Sequence, residues 1–365
     1  MQADFDTTVD GQLIPGAVAL VRTPAGSYTL THGTTTLGAD IRPSPTDYFR
    51  IGSVTKTMVA AVVLQLVQEG RLGVVDPIDR YVPGVPNGPN ITVSDLLDMR
   101  SGLHNYLDTV GFDTGFNQNP TRVWAPQELL ALAYAEPPSF PPGTAFEYSN
   151  TNTILLGLLV EKLAGKPLSA VLSQRLFGPL GMTHTSLPEA TTTTLPDPSS
   201  RGYQYGRLEV ADVTLPPEQD AAAAAGTLKP NDVTAQSPSW SWAAGGVAST
   251  AEDLSTWIQA LVGGKVLNPA MQQRWVDSIK IQDPADPRLY YGWGITQLRF
   301  GDIRLTYHEG QLPGFNTEAV MDAANKVSIV IWTNRAITQG KDNAQTVLVS
   351  LLGHLYRTPA TTPPS

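Results

Sequence analysis

From Val54 to Val67 the chain carries a single charge, Lys56, in an otherwise apolar run that passes through Gln68 and Glu69 and stops at Gly70. The length and the terminating glycine predict a helix, and a helix apolar nearly all round is a buried one. Upstream, Ala17–Arg22 and Ser27–Thr31 flank the turn residues Pro24, Ala25 and Gly26, which predicts a β-hairpin within about 14–37. Phe49-Arg50-Ile51 reads as a short extended entry to the buried helix. Beyond Gly70 the pattern becomes helical between proline-punctuated loops. Helices are predicted at Thr92–Met99, Pro126–Tyr134, Asn152–Ala164 and Leu168–Phe177. Residues 186–240 are rich in Thr, Pro and Ala and read as excursions over the surface. Ser249, with Glu252 three residues on, reads as the cap of a further helix. Strand patterns return at Ile303–Tyr307, Glu318–Met321 and Val327–Trp332, and Ala344–Tyr356 closes as an amphipathic helix.

Strand-rich ends around a helical middle predict that the two ends pair into one sheet and that the insert forms a second lobe. The expected sheet lobe takes in about 1–55 and 245–357 and the mainly helical lobe about 56–244, with a frayed Pro/Thr tail at 358–365. A chain of 365 residues, 41% hydrophobic and 16% charged, is long enough for such a two-lobed core. Its lack of cysteine removes disulfides, thiolate nucleophiles and Cys-ligated metals. A net charge of −9 with no basic run argues against nucleic acid as a partner. No apolar stretch is long enough to span a bilayer. Met1–Asp6 has neither the basic nor the apolar region of a secretory leader, so the expectation is a cytoplasmic chain or a mature form with an added methionine.

The chemistry begins with Ser53 and Lys56. Three residues apart at a helix start, they share a face. Burying an unpaired ammonium is costly, and the catalytic reason for it is a lysine of lowered pKa that helps deprotonate a serine nucleophile. The plainer reading is a capping serine and a lysine whose head reaches water. Tyr148-Ser149-Asn150 supplies a phenol able to shuttle a proton and an amide able to bridge lysine and substrate, or else simply opens the next helix. His308-Glu309-Gly310-Gln311 ends a predicted strand. Gly310 would let a substrate backbone approach, and the Gln311 N–H, with that of Ser53, would hold an oxyanion. On its own His308 reads equally as a hydrogen-bonded histidine at a strand end.

In this order, Ser53-x-x-Lys56, Tyr148-Ser149-Asn150 and His308-Glu309-Gly310 resemble the three motifs of the serine β-lactamase and penicillin-binding-protein superfamily. Within it they resemble the branch of Streptomyces-type DD-carboxypeptidases, class C β-lactamases and family VIII esterases. Phe49–Gly52, Arg100–Leu103, Phe177-x-Pro179-Leu180-Gly181-Met182 and Ala244–Val247 extend the likeness from about Pro15 to Leu355. The resemblance implies an α+β fold of β-lactamase/transpeptidase type: an antiparallel sheet flanked by helices against a mostly helical domain, with the site in the cleft between. It implies a serine acyl-enzyme hydrolase, with Ser53 as nucleophile, Lys56 and Tyr148 as proton carriers in an order left open, and Asn150 and His308 in support. Trp240 would form part of the cleft wall. No metal or organic cofactor is implied. The substrate would be a small ester, amide or D-amino-acid peptide, the setting secreted or cell-envelope, and the oligomeric state is left open. The alternative is a penicillin-binding or sensor-type relative that acylates without turnover. Two positions depart from the branch. Glu309 stands where a threonine is usual, and Gly294-Ile295-Thr296-Gln297 lacks the arginine that clamps a substrate carboxylate. A substrate without a free carboxylate beside the scissile bond is therefore expected.

Overall fold

The computed structural model describes residues 1–206, 215–283, 286–338 and 341–356. The expected tail at 358–365 lies outside the described residues. Eight strands form one antiparallel sheet: β1 (Gly16–Thr23), β2 (Gly26–Gly33), β3 (Lys280–Asp283), β4 (Asp286–Gly292), β5 (Ile295–Phe300), β6 (Ile303–Leu312), β7 (Phe315–Asp322) and β8 (Val327–Thr333). Their order is β2-β1-β8-β7-β6-β5-β4-β3, so the first strands of the chain are zipped to the last, with Leu20 opposite Val330. Both faces of the sheet centre are covered. Val18, Leu20, Val330 and Trp332 face one apolar core, while Ala17, Ala19, Ile329 and Ile331 face a second. That double burial is why β1 reads as a continuous apolar run.

The outer core is closed by α1 (Gln2–Gly11), through Phe5 and Val9, and by α5 (Asn343–Leu355). The inner core holds α2 (Thr55–Gln68), α3 (Asn150–Ala164) and α4 (Ala251–Val262). A 3-10 turn, Gly52–Val54, leads into α2, so Ser53 stands just ahead of the first α-helical turn. Among the described residues no helix is long and apolar enough to cross a membrane.

Four features depart from the sequence reading. α1 was not anticipated, because Asp4, Asp6 and Asp10 mask a helix that buries only two residues. β3, β4 and β5 were missed: Pro287 near the start of β4 resembles a loop signal, and β3 is the edge strand, where polar residues are tolerated. Ser249 is not the cap of α4. It is drawn into a two-residue ladder with Phe49, and Thr250 caps the helix by accepting from the Asp253 N–H at 3.2 Å. Finally, 186–240 is not all surface. Gln236, Ser237, Ser239 and Trp240 are buried, held in place by Arg50. Its guanidinium donates to the carbonyls of Thr193 (2.9 Å), Thr234 (3.3 Å) and Gln236 (3.1 Å), and burial lowers its pKa to about 10.

Candidate active site

Lys56 is 1% exposed on the first turn of α2, and all three directions around its Nζ are occupied. Ser53 Oγ lies at 2.8 Å, Asn150 Oδ1 at 2.7 Å and the Ala244 carbonyl at 2.8 Å. Asn150 is the first residue of α3, and its amide is fixed from behind. Its backbone N–H and its Nδ2 donate to Asn105 Oδ1 at 3.1 and 3.2 Å, and Asn105 Nδ2 donates to Asp108 at 3.0 Å. A carboxylate accepts only, so this chain of amides turns Asn150 Oδ1 toward the lysine. Burial lowers the Lys56 pKa well below its ordinary value, with Glu309 pulling it partly back. A neutral amine has two donors and one lone pair. Asn150 Oδ1 and the Ala244 carbonyl can only accept, which leaves the lone pair for the Ser53 hydroxyl.

Tyr148 meets the serine from the other side. Burial raises its pKa, its hydrogen bond to Ser53 works the other way, and Glu309 adds to the rise, so the phenol keeps its proton. The Lys56 ammonium position lies 4.8 Å from the Tyr148 ring centroid. His308 is buried, and that burial, with Lys56 nearby, lowers its pKa to about 3. The ring is therefore neutral. Nδ1 donates to the Glu309 carbonyl at 2.7 Å, leaving Nε2 to accept from the Tyr291 hydroxyl at 3.3 Å. His308 meets Tyr148 only as a ring neighbour, at 6.4 Å between centroids, so the expected direct support of Tyr148 is replaced by a bond to Tyr291. Tyr291 packs edge-on against Tyr148 at 6.3 Å.

β5 accompanies β6 only as far as the Tyr307–Thr296 pair, whereas β7 continues to Leu312. From His308 to Leu312, therefore, one side of β6 has no partner strand among the described residues. This edge lies against the serine turn. A Cβ on Gly310 would stand 1.9 Å from the Ile51 carbonyl oxygen and 3.1 Å from the Ser53 nitrogen. One on Gly52, whose φ is +53°, would stand 2.6 Å from the Gln311 nitrogen. Only glycines allow the two backbones so close, and the closeness brings the Ser53 and Gln311 N–H groups to one place. Two chambers adjoin here. The smaller, about 360 Å³, is lined by Ser53, Asn150, Leu107, Trp240 and Leu312. The larger, about 770 Å³, is lined by His308, Glu309, Tyr291, Thr296 and Asp342, and Tyr148 and Gln311 border both. Trp240 is 2% exposed and contributes little more than an edge, its ring packed 5.3 Å from Phe116. The Glu309 side chain reaches open water, yet the walls around it raise its pKa to about 7, Asp342 pushing the same way and Lys56 opposing.

All nine residues singled out in the sequence thus converge on one cleft. Asn105 and Tyr291 were missed. The only signal for Asn105 was its place two residues after Arg100–Leu103, and Tyr291 lay in a strand hidden by prolines. Among the described residues no cluster of three or more His, Asp or Glu side chains could hold a metal ion.

The same architecture is found in a D-stereospecific amidohydrolase from a Streptomyces species, with a TM-score of 0.83, 28% identity, and coverage of 98% of this chain and 99% of that one. It is found again in a D-amino acid amidase from Ochrobactrum anthropi, with a TM-score of 0.81, 24% identity, and coverage of 97% and 99%. Protein flp of Staphylococcus aureus is 26% identical over 91% of this chain, which spans only 63% of that relative's length. The beta-lactamase family model matches residues 1–353, and the chain belongs to the beta-lactamase family.

Proposed function

We propose that the protein is a serine acyl hydrolase or acyltransferase working through a Ser53 acyl-enzyme. The observation that carries the reading is the buried Lys56 amine, 2.8 Å from Ser53 Oγ, with its other two partners able only to accept. Lys56 takes the serine proton as Ser53 attacks the carbonyl. The Ser53 and Gln311 N–H groups hold the oxyanion. Tyr148, a neutral phenol, passes the proton to the leaving group, and water or an amine then releases the acyl group. Asn150 orients Lys56. His308 lines the cleft without titrating near neutrality. Glu309, and Thr296 where an arginine clamp would stand, disfavour a carboxylate beside the scissile bond, so esters and amides are preferred over acyl-D-Ala-D-Ala acids. D-amino-acid amides head the amide candidates, since a relative 28% identical is a D-stereospecific amidohydrolase.

The test is one panel on one preparation: p-nitrophenyl esters, nitrocefin, D-amino-acid amides and D-Ala-D-Ala peptides, each with wild type and Ser53→Ala. Turnover is expected to vanish in the variant with its fold intact, since a hydroxyl at a helix start is worth about 1 kcal/mol. A fluorophosphonate adduct is expected on Ser53. An adduct elsewhere, or normal rates in the variant, defeats the proposal, and a stoichiometric burst without turnover would make the protein an acylated binder.

A further inference from the structure

The larger chamber holds a group of carboxyls that acyl transfer does not use. Glu309 lies directly opposite Glu318 in the β6–β7 ladder, so the two share a face of the sheet, the face covered by α5. Asp342 arrives at the same place as the cap of α5, accepting from the Gln345 N–H and from Asn316 Nδ2, both at 2.9 Å. Glu318 is 0% exposed, and among the described residues neither of its carboxyl oxygens has a hydrogen-bond partner. A carboxyl buried without a partner is destabilising, yet this one stands beside two others. Lys56, which opposes the rise in the Glu309 pKa, is already committed to Ser53, Asn150 and Ala244. Among the described residues the group does not converge as a metal site.

Direction follows from the chambers. Ser53 lines the smaller one, with Leu107, Trp240 and Leu312, so the acyl group belongs there. Tyr148 borders both, so a nitrogen protonated by its hydroxyl extends into the larger. We propose that the larger chamber is a subsite for a positively charged group, an ammonium or guanidinium, carried by the leaving group or by an acyl acceptor, with Glu309 as its direct contact and Glu318 and Asp342 behind it. This rests on the Ser53 acyl-transfer reading. As the tetrahedral adduct on Ser53 collapses, the carbon–nitrogen bond breaks and its electron pair stays on nitrogen. The proton given up by Ser53 reaches that nitrogen through Tyr148. The distal cation takes no part in bond making; it positions the departing group.

Two amides sharing one acyl group test the subsite, one of pentylamine and one of 1,4-diaminobutane, which differ in a terminal methyl against an ammonium. At pH 8 the cationic amide is expected to have a kcat/KM about tenfold higher or more, and the ratio to fall to about threefold or less in Glu309→Gln. Equal values in wild type overturn the subsite while leaving Ser53 chemistry standing. A high ratio unchanged in Glu309→Gln overturns the assignment to this acidic group. If neither amide is cleaved, their inhibition constants against a neutral p-nitrophenyl ester supply the same ratio and decide between the same outcomes. Absence of any ester turnover instead sinks the parent reading, and the inference with it.

Discussion

At the scale of residues, Lys56 and Tyr148 both hydrogen-bond the Ser53 oxygen, and burial favours the neutral form of each. Lys56→Ala and Tyr148→Phe are each expected to slow acylation by roughly 10²–10⁴. Because they form one proton path, the double variant should be little slower than either single one; losses that add in the logarithm would show two independent paths. Glu309 gives a pH prediction with a definite sign. Its pKa is raised to about 7, so it is an anion above neutrality and neutral below. Among the described residues, the charged or titratable neighbours facing it are Lys56, Tyr148, Tyr291, Tyr307, Glu318 and Asp342. Effects on Lys56 are common to ester and free-acid substrates and cancel in their ratio. The preference for a methyl ester over the matching free acid should therefore be full at pH 8 and shrink as pH falls through 7 toward 5.5. A ratio flat across that range would show that Glu309 does not meet the substrate carboxylate. Ser53 and Lys56 were legible because a charged residue in an apolar helix announces itself, and Tyr148 through the Tyr148-Ser149-Asn150 stretch. Asn105 was not, since an asparagine that orients another asparagine leaves no mark on periodicity or charge.

Among the elements, the stretch of β6 that runs past the end of β5 carries the most consequence. Gly310→Ala would drive a methyl to 1.9 Å from the Ile51 carbonyl oxygen, so the edge and the serine turn must part. Loss of oxyanion geometry predicts an acylation rate lower by about 10²–10³, measured by single-turnover kinetics with an activated ester. An unchanged rate would mean that the two backbones separate without cost to the site. The three central strands and most helices of the middle third were readable from their patterns, but the helix Val110–Gln118 was not. β3 and β4 were not, because β3 ends the sheet, where polar residues are allowed, and β4 opens on Asp286-Pro287; β5 is short and half polar. The same holds for the buried part of 186–240. Its polar composition suits a surface, and it goes inside only because Arg50, far off in sequence, collects its carbonyls.

For the whole molecule, both chain ends lie in one sheet and share one outer core, so neither end is dispensable. Removing residues 1–11 takes away Phe5 and Val9, both essentially fully buried. At about 1.5–3 kcal/mol per buried side chain the loss is roughly 3–6 kcal/mol, to be read as a lower denaturant midpoint. A shift near zero would mean that α1 merely rests on the sheet. The union of the ends was legible from strand patterns at both termini; the contribution of α1 was not, since two buried residues in ten make no convincing stripe. The strip from His308 to Leu312 has a further consequence outside catalysis. A strand edge with no neighbouring strand among the described residues is adhesive toward any extended chain, including a half-unfolded sibling. In this protein that adhesiveness is confined to a recess, with a carboxylate at its mouth. A slow acylating inhibitor lodged along the strip would then do two jobs, stopping turnover and keeping warm, concentrated solutions from clumping.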